Sequence, residues 1–259
     1  MLQTTSLRQK WSPELYENNA RFVGDLAGEA VEWLSPRAGE KVLDIGCGDG
    51  VLSLQLAQSG ADVVGLDFSP DLVGSAREKG LNAILGNAEE IDFDSEFNAA
   101  FSNAALHWIR DPDAMMQGVF KALRPGGRFV GEMAGIHNAA IIRSSIHSWL
   151  DDHGYDHKEI DPWYLPTCDD YGTRLERAGF SVDRLYWFAR PVEIDYPIAD
   201  WIRTFGSPYL TVLQDEMKRK ELLSDVTEEL RSKLLSANGK WTVDYTRLRF
   251  RAFHPEIES

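Results

Sequence analysis

Val42-Leu43-Asp44-Ile45-Gly46-Cys47-Gly48-Asp49-Gly50 decides how the rest of the chain is read. Apolar residues around one aspartate give a buried strand, and three glycines in five residues give a turn with its backbone bare. Val51-Leu52-Ser53-Leu54-Gln55-Leu56-Ala57 then continues as a helix. Glycines let a ligand lie directly against the main chain, and the N–H groups at the helix start favour an electronegative group. Spacing weakens a dinucleotide reading, because Val51 stands where the G-x-G-x-x-G fingerprint has its last glycine. Asp67 closes the next strand with Phe68 behind it. A carboxylate about 20 residues past such glycines is placed for two ribose hydroxyls.

These residues resemble the class I S-adenosylmethionine-dependent methyltransferases, whose glycine motif has the form of Asp44 to Gly50. The resemblance implies an α/β fold with a Rossmann-like, doubly wound seven-stranded sheet, an N-terminal arm and a helical cap. It implies S-adenosyl-L-methionine as cofactor and S-adenosyl-L-homocysteine as product. Asp44 and the turn residues Gly46, Cys47 and Gly48 are expected at its methionine and ribose portions, Asp67 at the ribose hydroxyls, and Phe68, Asn87 and Ala88 at the adenine. Asn87 occupies the place where the family usually shows an acid, and its amide oxygen accepts from the adenine amino group in this reading.

Around that motif the pattern alternates strand and helix. Strands are expected near 41–45, 62–66, 82–85, 97–102 and 127–134, with helices at 50–59, 70–79 and 111–123. Strict alternation means a parallel sheet with helices on both faces and ligands at the strands' carboxyl ends. Leu123-Arg124-Pro125-Gly126-Gly127 matches a turn signature of the same family and carries no chemistry. A helix follows over 139–150 and a solvated loop over 151–157; the irregular His and Asp spacing in that loop favours solvation over metal binding. The last two strands fall at 181–190 and 245–253, with a polar helical insertion between them. Residues 1–36 are read as an arm and helix over the cofactor site, 37–194 with 241–259 as the core, and 195–240 as a cap.

Composition narrows the partners. The chain has 259 residues and a formal charge of −14, which argues against a phosphate-backbone partner and for a small-molecule substrate. Two cysteines supply neither a disulfide framework nor a Cys/His metal site. The opening residues have no apolar signal core and no run is long enough to span a membrane, so a cytoplasmic monomer or homodimer is expected, with no nucleic-acid, membrane or metal partner.

The stretch Asn103-Ala104-Ala105-Leu106-His107-Trp108 leaves the sheet beside the glycine turn, which directs Asn103 to the cofactor, Trp108 to the acceptor and His107 to possible catalysis. A structural imidazole is an equal reading of His107. Together with Trp11 to Tyr16, Pro162-Trp163-Tyr164 and the helix at Trp201, these residues resemble the trans-aconitate methyltransferase group and, less closely, the malonyl-carrier-protein O-methyltransferases. Both methylate carboxylates. The resemblance implies contacts from Trp11 and Tyr16 to the cofactor and from Trp163 and Tyr164 to the acceptor. Arg143 and Arg203 are candidate grips for an acceptor carboxylate. A phenolic or amine acceptor, or a protein that binds the cofactor without transferring methyl, stays open at this point.

Overall fold

The computed structural model describes residues 27–256; Trp11, Tyr16 and most of the expected arm lie outside these residues. Contacts divide the chain into two compact units, one holding 27–136, 164–188 and 247–256 of the described residues and the other 137–163 and 189–246.

The larger unit is built on a seven-stranded mixed sheet in the order β3-β2-β1-β4-β5-β9-β6. Its strands are β1 (Lys41–Ile45), β2 (Asp62–Asp67), β3 (Asn82–Leu85), β4 (Phe97–Asn103), β5 (Leu123–Ala134), β6 (Ser181–Ala189) and β9 (Thr246–Phe253). Strands β1 to β5 pair in parallel, and β9 runs antiparallel to β5. The helices are α1 (Gly28–Leu34), α2 (Val51–Ala57), α3 (Pro70–Glu78), α4 (Pro112–Ala122) and α7 (Cys168–Arg177). Strand side chains alternate between two cores: Leu43, Ile45 and Ala100 join one, while Val42, Ala99 and Phe101 join the other. Both faces are therefore apolar, as helices on both sides require.

Start signals written in the sequence become caps. Ser69 accepts from Leu72 N ahead of Pro70, and Asp111 accepts from Ala114 N ahead of Pro112. Such caps stabilise a helix by about 1 kcal/mol each. The fifth strand begins at Leu123 rather than near 127, because Leu123 already pairs with Phe97 before the Pro-Gly-Gly bulge and Arg128 resumes the ladder opposite Ala99.

The smaller unit contains α5 (Ala140–Asp152), α6 (His157–Ile160), β7 (Val192–Ile194), α8 (Ile198–Phe205), α9 (Ser207–Thr211), α10 (Glu216–Leu234) and β8 (Trp241–Val243). It takes in α5, which packs on α10, as well as the 195–240 stretch expected to form a cap. The β7–β8 hairpin, α6 and α7 were not expected. The expected loop is shorter than 151–157, at 153–156: Asp151 and Asp152 end α5, and His157 opens α6 with its Nδ1 at 2.7 Å from Asp151 Oδ1. Among the described residues no helix is long and apolar enough to cross a membrane.

Beneath α1, a buried charge cluster joins β5 to β9. Arg249, fully buried, reaches Glu132 through Nε and Nη2 at 2.8 and 2.7 Å, and its Nη1 contacts Glu29 and the Tyr186 hydroxyl. Arg247 Nε lies 3.8 Å from the other Glu132 oxygen. The rings of Trp33, Tyr186 and Phe188 surround the Arg249 guanidinium at 5.6, 5.7 and 5.0 Å. Removing one partner from a buried ion cluster leaves uncompensated charge, so Glu132→Ala is expected to cost about 3–5 kcal/mol in urea unfolding. A loss below about 1 kcal/mol, the scale of an exposed pair, would show that the cluster is solvated in solution.

Candidate active site

At the carboxyl ends of β1 and β2 the glycine turn is closed from within. Gly46 N and Cys47 N donate to Leu66 O at 2.7 and 3.2 Å, and Gly50 N donates to Cys47 O at 3.0 Å. Gly48 N donates to Asp67 Oδ2 at 2.9 Å, and the other Asp67 oxygen accepts from Ser69 N at 2.9 Å. These N–H groups are consumed inside the fold, so the turn offers a ligand bare Cα surface rather than the free amides its sequence suggests. Gly46, Gly48 and Gly50 all have positive φ, at 74°, 57° and 81°. A Cβ on Gly46 would stand 2.2 Å from Ala105 Cβ, so the segment after β4 touches the turn directly.

Each carboxylate here has a distinct setting. Asp67 is 9% exposed, and burial raises its pKa against the three backbone N–H groups of Ser69, Gly48 and Phe68. Gly48 N–H bonds one oxygen and Ser69 N–H the other, which leaves lone-pair capacity for a further donor. Asp44 is 2% exposed and accepts from the Ser53 hydroxyl; burial pushes its pKa up to about 7, with Asp67 adding to the rise and Ser53 opposing it. It underlies the turn more than it faces solvent. The Cys47 thiol is buried, and desolvation raises its pKa.

Beside Asp67, two large apolar side chains stand in solvent: Phe68 is 40% exposed and Leu85, the register partner of Asp67 on β3, is 49% exposed. Leu85 escaped the sequence reading because a leucine at the end of a four-residue strand carries no signal distinct from core. Asn87 caps the short turn Ala88–Glu90, its Oδ1 accepting from Glu89 N at 3.1 Å. The amide oxygen assigned to an adenine amino group is thus already half used. Glu89 in turn accepts from Arg110 N and Asp111 N, tying the turn to the start of α4.

Asn103 ends β4, and Ala104 adopts a left-handed φ of 55° with its N–H donating to Glu132 O at 2.7 Å. A non-glycine residue held there stores strain of about 1–3 kcal/mol, a cost that recurs at functional sites. His107 lies in the short turn Leu106–Trp108 and is 8% exposed. Its Nδ1 accepts from Ala134 N at 3.3 Å, its carbonyl accepts from Tyr164 N, and its ring sits 5.2 Å from that of Trp108. Burial, helped by the charge of Arg247, lowers its pKa to about 3. The ring is neutral near pH 7, with its proton on Nε2 and its lone pair occupied by the backbone.

The remaining predicted acceptor residues separate. Tyr164 belongs to the larger unit and donates its hydroxyl to Asp170 at 2.7 Å. Arg203 is half-exposed in a surface pair with Asp200, which removes the geometric case for it as a carboxylate grip. Arg143 and Trp163 come together in the smaller unit, the guanidinium lying 5.7 Å from the indole centre and pairing with Asp161.

Asp44, Gly46, Cys47, Gly48, Asp67, Phe68, Asn87, Ala88, Asn103 and His107 thus all lie at one end of one sheet, an arrangement that suits a flat ring beside a hydroxyl-bearing sugar. Comparison with known proteins bears on the family. A family profile described as a methyltransferase domain matches residues 36–165. The chain is 38% identical to an uncharacterized methyltransferase of Schizosaccharomyces pombe, over 93% of this chain and 97% of that one. It is 27% identical to a trans-aconitate 2-methyltransferase of a Mycobacterium species, covering 80% and 84% of the two chains. In fold it is similar to a methyltransferase structure from Bacillus halodurans, with a TM-score of 0.60 at 17% identity over 88% of this chain and 98% of that one. Sequence family, sheet order and turn geometry agree: the chain belongs to the methyltransferase family, as a class I, S-adenosylmethionine-dependent enzyme.

Proposed function

We propose that this enzyme methylates a carboxylate oxygen of a small acceptor. The observation that carries the reading is the state of His107, a neutral imidazole whose lone pair is held by Ala134 N–H. Such a ring takes no proton from a hydroxyl or an ammonium, whereas a carboxylate arrives ionised and needs no base. The trans-aconitate relative, similar over most of its length, supports the same acceptor class.

In this reading Asp67 holds the ribose hydroxyls with the lone pairs its backbone donors leave free. Phe68 and Leu85 flank the adenine, and the bare surface of Gly46 and Gly48 lets the methionine portion lie close. Asp44 with Ser53 supports the turn from below. Asn87 and Ala88 border the adenine edge, and Asn103 and Trp108 the methyl side. S-adenosylmethionine supplies a sulfonium methyl that is displaced in one step. The protein's part is to align acceptor oxygen, methyl and sulfur and to exclude water, which is worth several kcal/mol without any proton transfer.

Cofactor binding is tested at Asp67. Asn keeps an acceptor toward one backbone N–H but loses the charge, so Asp67→Asn is expected to weaken S-adenosylhomocysteine from micromolar by roughly 10–100-fold in calorimetry. Unchanged affinity would remove Asp67 from the ribose.

The acceptor class is tested at His107. His107→Gln, which keeps an acceptor for Ala134 N–H, is expected to hold the single-turnover rate within about tenfold, since only positioning is disturbed. A loss of about a thousandfold, with the pH dependence abolished, would instead identify His107 as a base and the acceptor as a hydroxyl or amine.

The same residue makes a stability prediction. Its folded pKa of about 3 lies below the ordinary value of 6.5, so between these values the unfolded chain binds more protons. The His107 contribution is present above about pH 6.5 and is lost as the pH falls toward 3. Urea unfolding from pH 7 to pH 4 should lose less stability in His107→Gln than in the parent. An equal or steeper loss would mean the ring is protonated in the fold.

A further inference from the structure

Two acids are buried at the cofactor end of the larger unit, and their surroundings differ. Asp67 receives backbone N–H groups on both oxygens, from Gly48 and Ser69. Asp44 is the more deeply buried, at 2% against 9% exposed, and among the described residues its carboxylate has one donor, the Ser53 hydroxyl at 2.5 Å. The flanking strands bring it no counter-charge at its own level: its register partners are Gly65 on β2 and Phe101 on β4. The groups that face it are Ser53 from α2, which is uncharged, Asp67 from β2, which opposes its ionisation, and Cys47 from the turn. Burial and both acids hold the Cys47 thiol protonated.

A buried carboxylate with one neutral donor and a second acid beside it is poorly stabilised as an anion. Such a group holds a proton until a positive charge arrives, and the two acids share their titration. S-adenosylmethionine brings that charge. Its sulfonium gives it a net positive charge that S-adenosylhomocysteine lacks, while the ribose, the adenine and the amino-acid end are the same in both. Inside protein such a charge acts through space, without contact.

We propose that Asp44 senses the charge of the cofactor: part of the free enzyme carries it as the neutral acid near pH 7, and binding of the sulfonium form breaks its O–H bond and passes the proton to the solvent. Binding of the product releases less. This rests on the reading above that the cofactor occupies the glycine turn, and it goes beyond that reading by giving Asp44 a part in distinguishing cofactor from spent product. An ionised Asp44 favours S-adenosylmethionine, and loss of the sulfonium charge on methyl transfer lets the proton return.

The test is calorimetric titration of the full-length enzyme with each ligand at pH 6, 7 and 8, in phosphate and in Tris, whose different ionisation heats reveal the protons released. Burial pushes the Asp44 carboxyl up to about 7, so roughly half a proton is expected to leave per S-adenosylmethionine at pH 7 and less at pH 8. Affinity for S-adenosylmethionine should fall roughly fivefold from pH 7 to pH 6, as the ionised fraction drops from about a half to about a tenth, and affinity for S-adenosylhomocysteine should change less. Asp44→Asn keeps an acceptor for Ser53 and should abolish both the release and the pH dependence. Ser53→Ala removes the donor that favours the anion, so its release should move to higher pH and exceed that of the parent at pH 8. Binding heats independent of buffer, equal release with the two ligands, or release undiminished in Asp44→Asn each overturn the proposal, the last assigning the proton to another group such as Asp67. Micromolar binding without proton release removes this inference and leaves the cofactor at the turn, whereas binding unaffected by Asp67→Asn removes both.

Discussion

The Asp67 carboxylate couples the parts of the cofactor end. One oxygen takes the N–H of Gly48 and the other the N–H of Ser69, so a single side chain at the end of β2 fixes the turn after β1 and the start of α3. Burying an ionisable acid is costly, and the two backbone donors offset that cost. The positive φ of Gly48 and the exposed Phe68 ring lie next to the two residues this carboxylate holds. A group used this way is already oriented when a ligand arrives, which is the economy of a preorganised site.

Much of this was legible in the sequence, for physical reasons. Glycines at 46, 48 and 50 declare a backbone with positive φ, Asp67 at its distance declares a strand end, and Ser69-Pro70 and Asp111-Pro112 declare helix starts. These are local rules, so they read through without knowledge of the fold. Consequences of long-range packing did not read through. Nothing near Gly46 says that its N–H and that of Cys47 will be taken by Leu66, and nothing near His107 says that Ala134 will claim its lone pair. Arg203 and Arg143 look alike as letters; only their surroundings distinguish a surface pair from a half-buried guanidinium against an indole. The β7–β8 hairpin was missed because three-residue strands carry too short a period to register.

The two units show different solutions to placing charge inside protein. In the larger unit Arg249 is fully buried among Glu132, Glu29, Tyr186 and three rings, between β5 and its neighbours. In the smaller unit the guanidinium of Arg143 is only partly buried, paired with Asp161 and lying against the Trp163 ring.

Strand β9 lies between β5 and β6, although about 110 residues separate it from β5 along the chain. Until residues 246–253 join the sheet, β5 and β6 lack their shared neighbour and Glu132 lacks both Arg247 and Arg249. A nascent chain in that state is a template for other strands and a substrate for chaperones. Closure of the sheet and neutralisation of its buried acid are therefore one event, timed by translation of a single eight-residue strand.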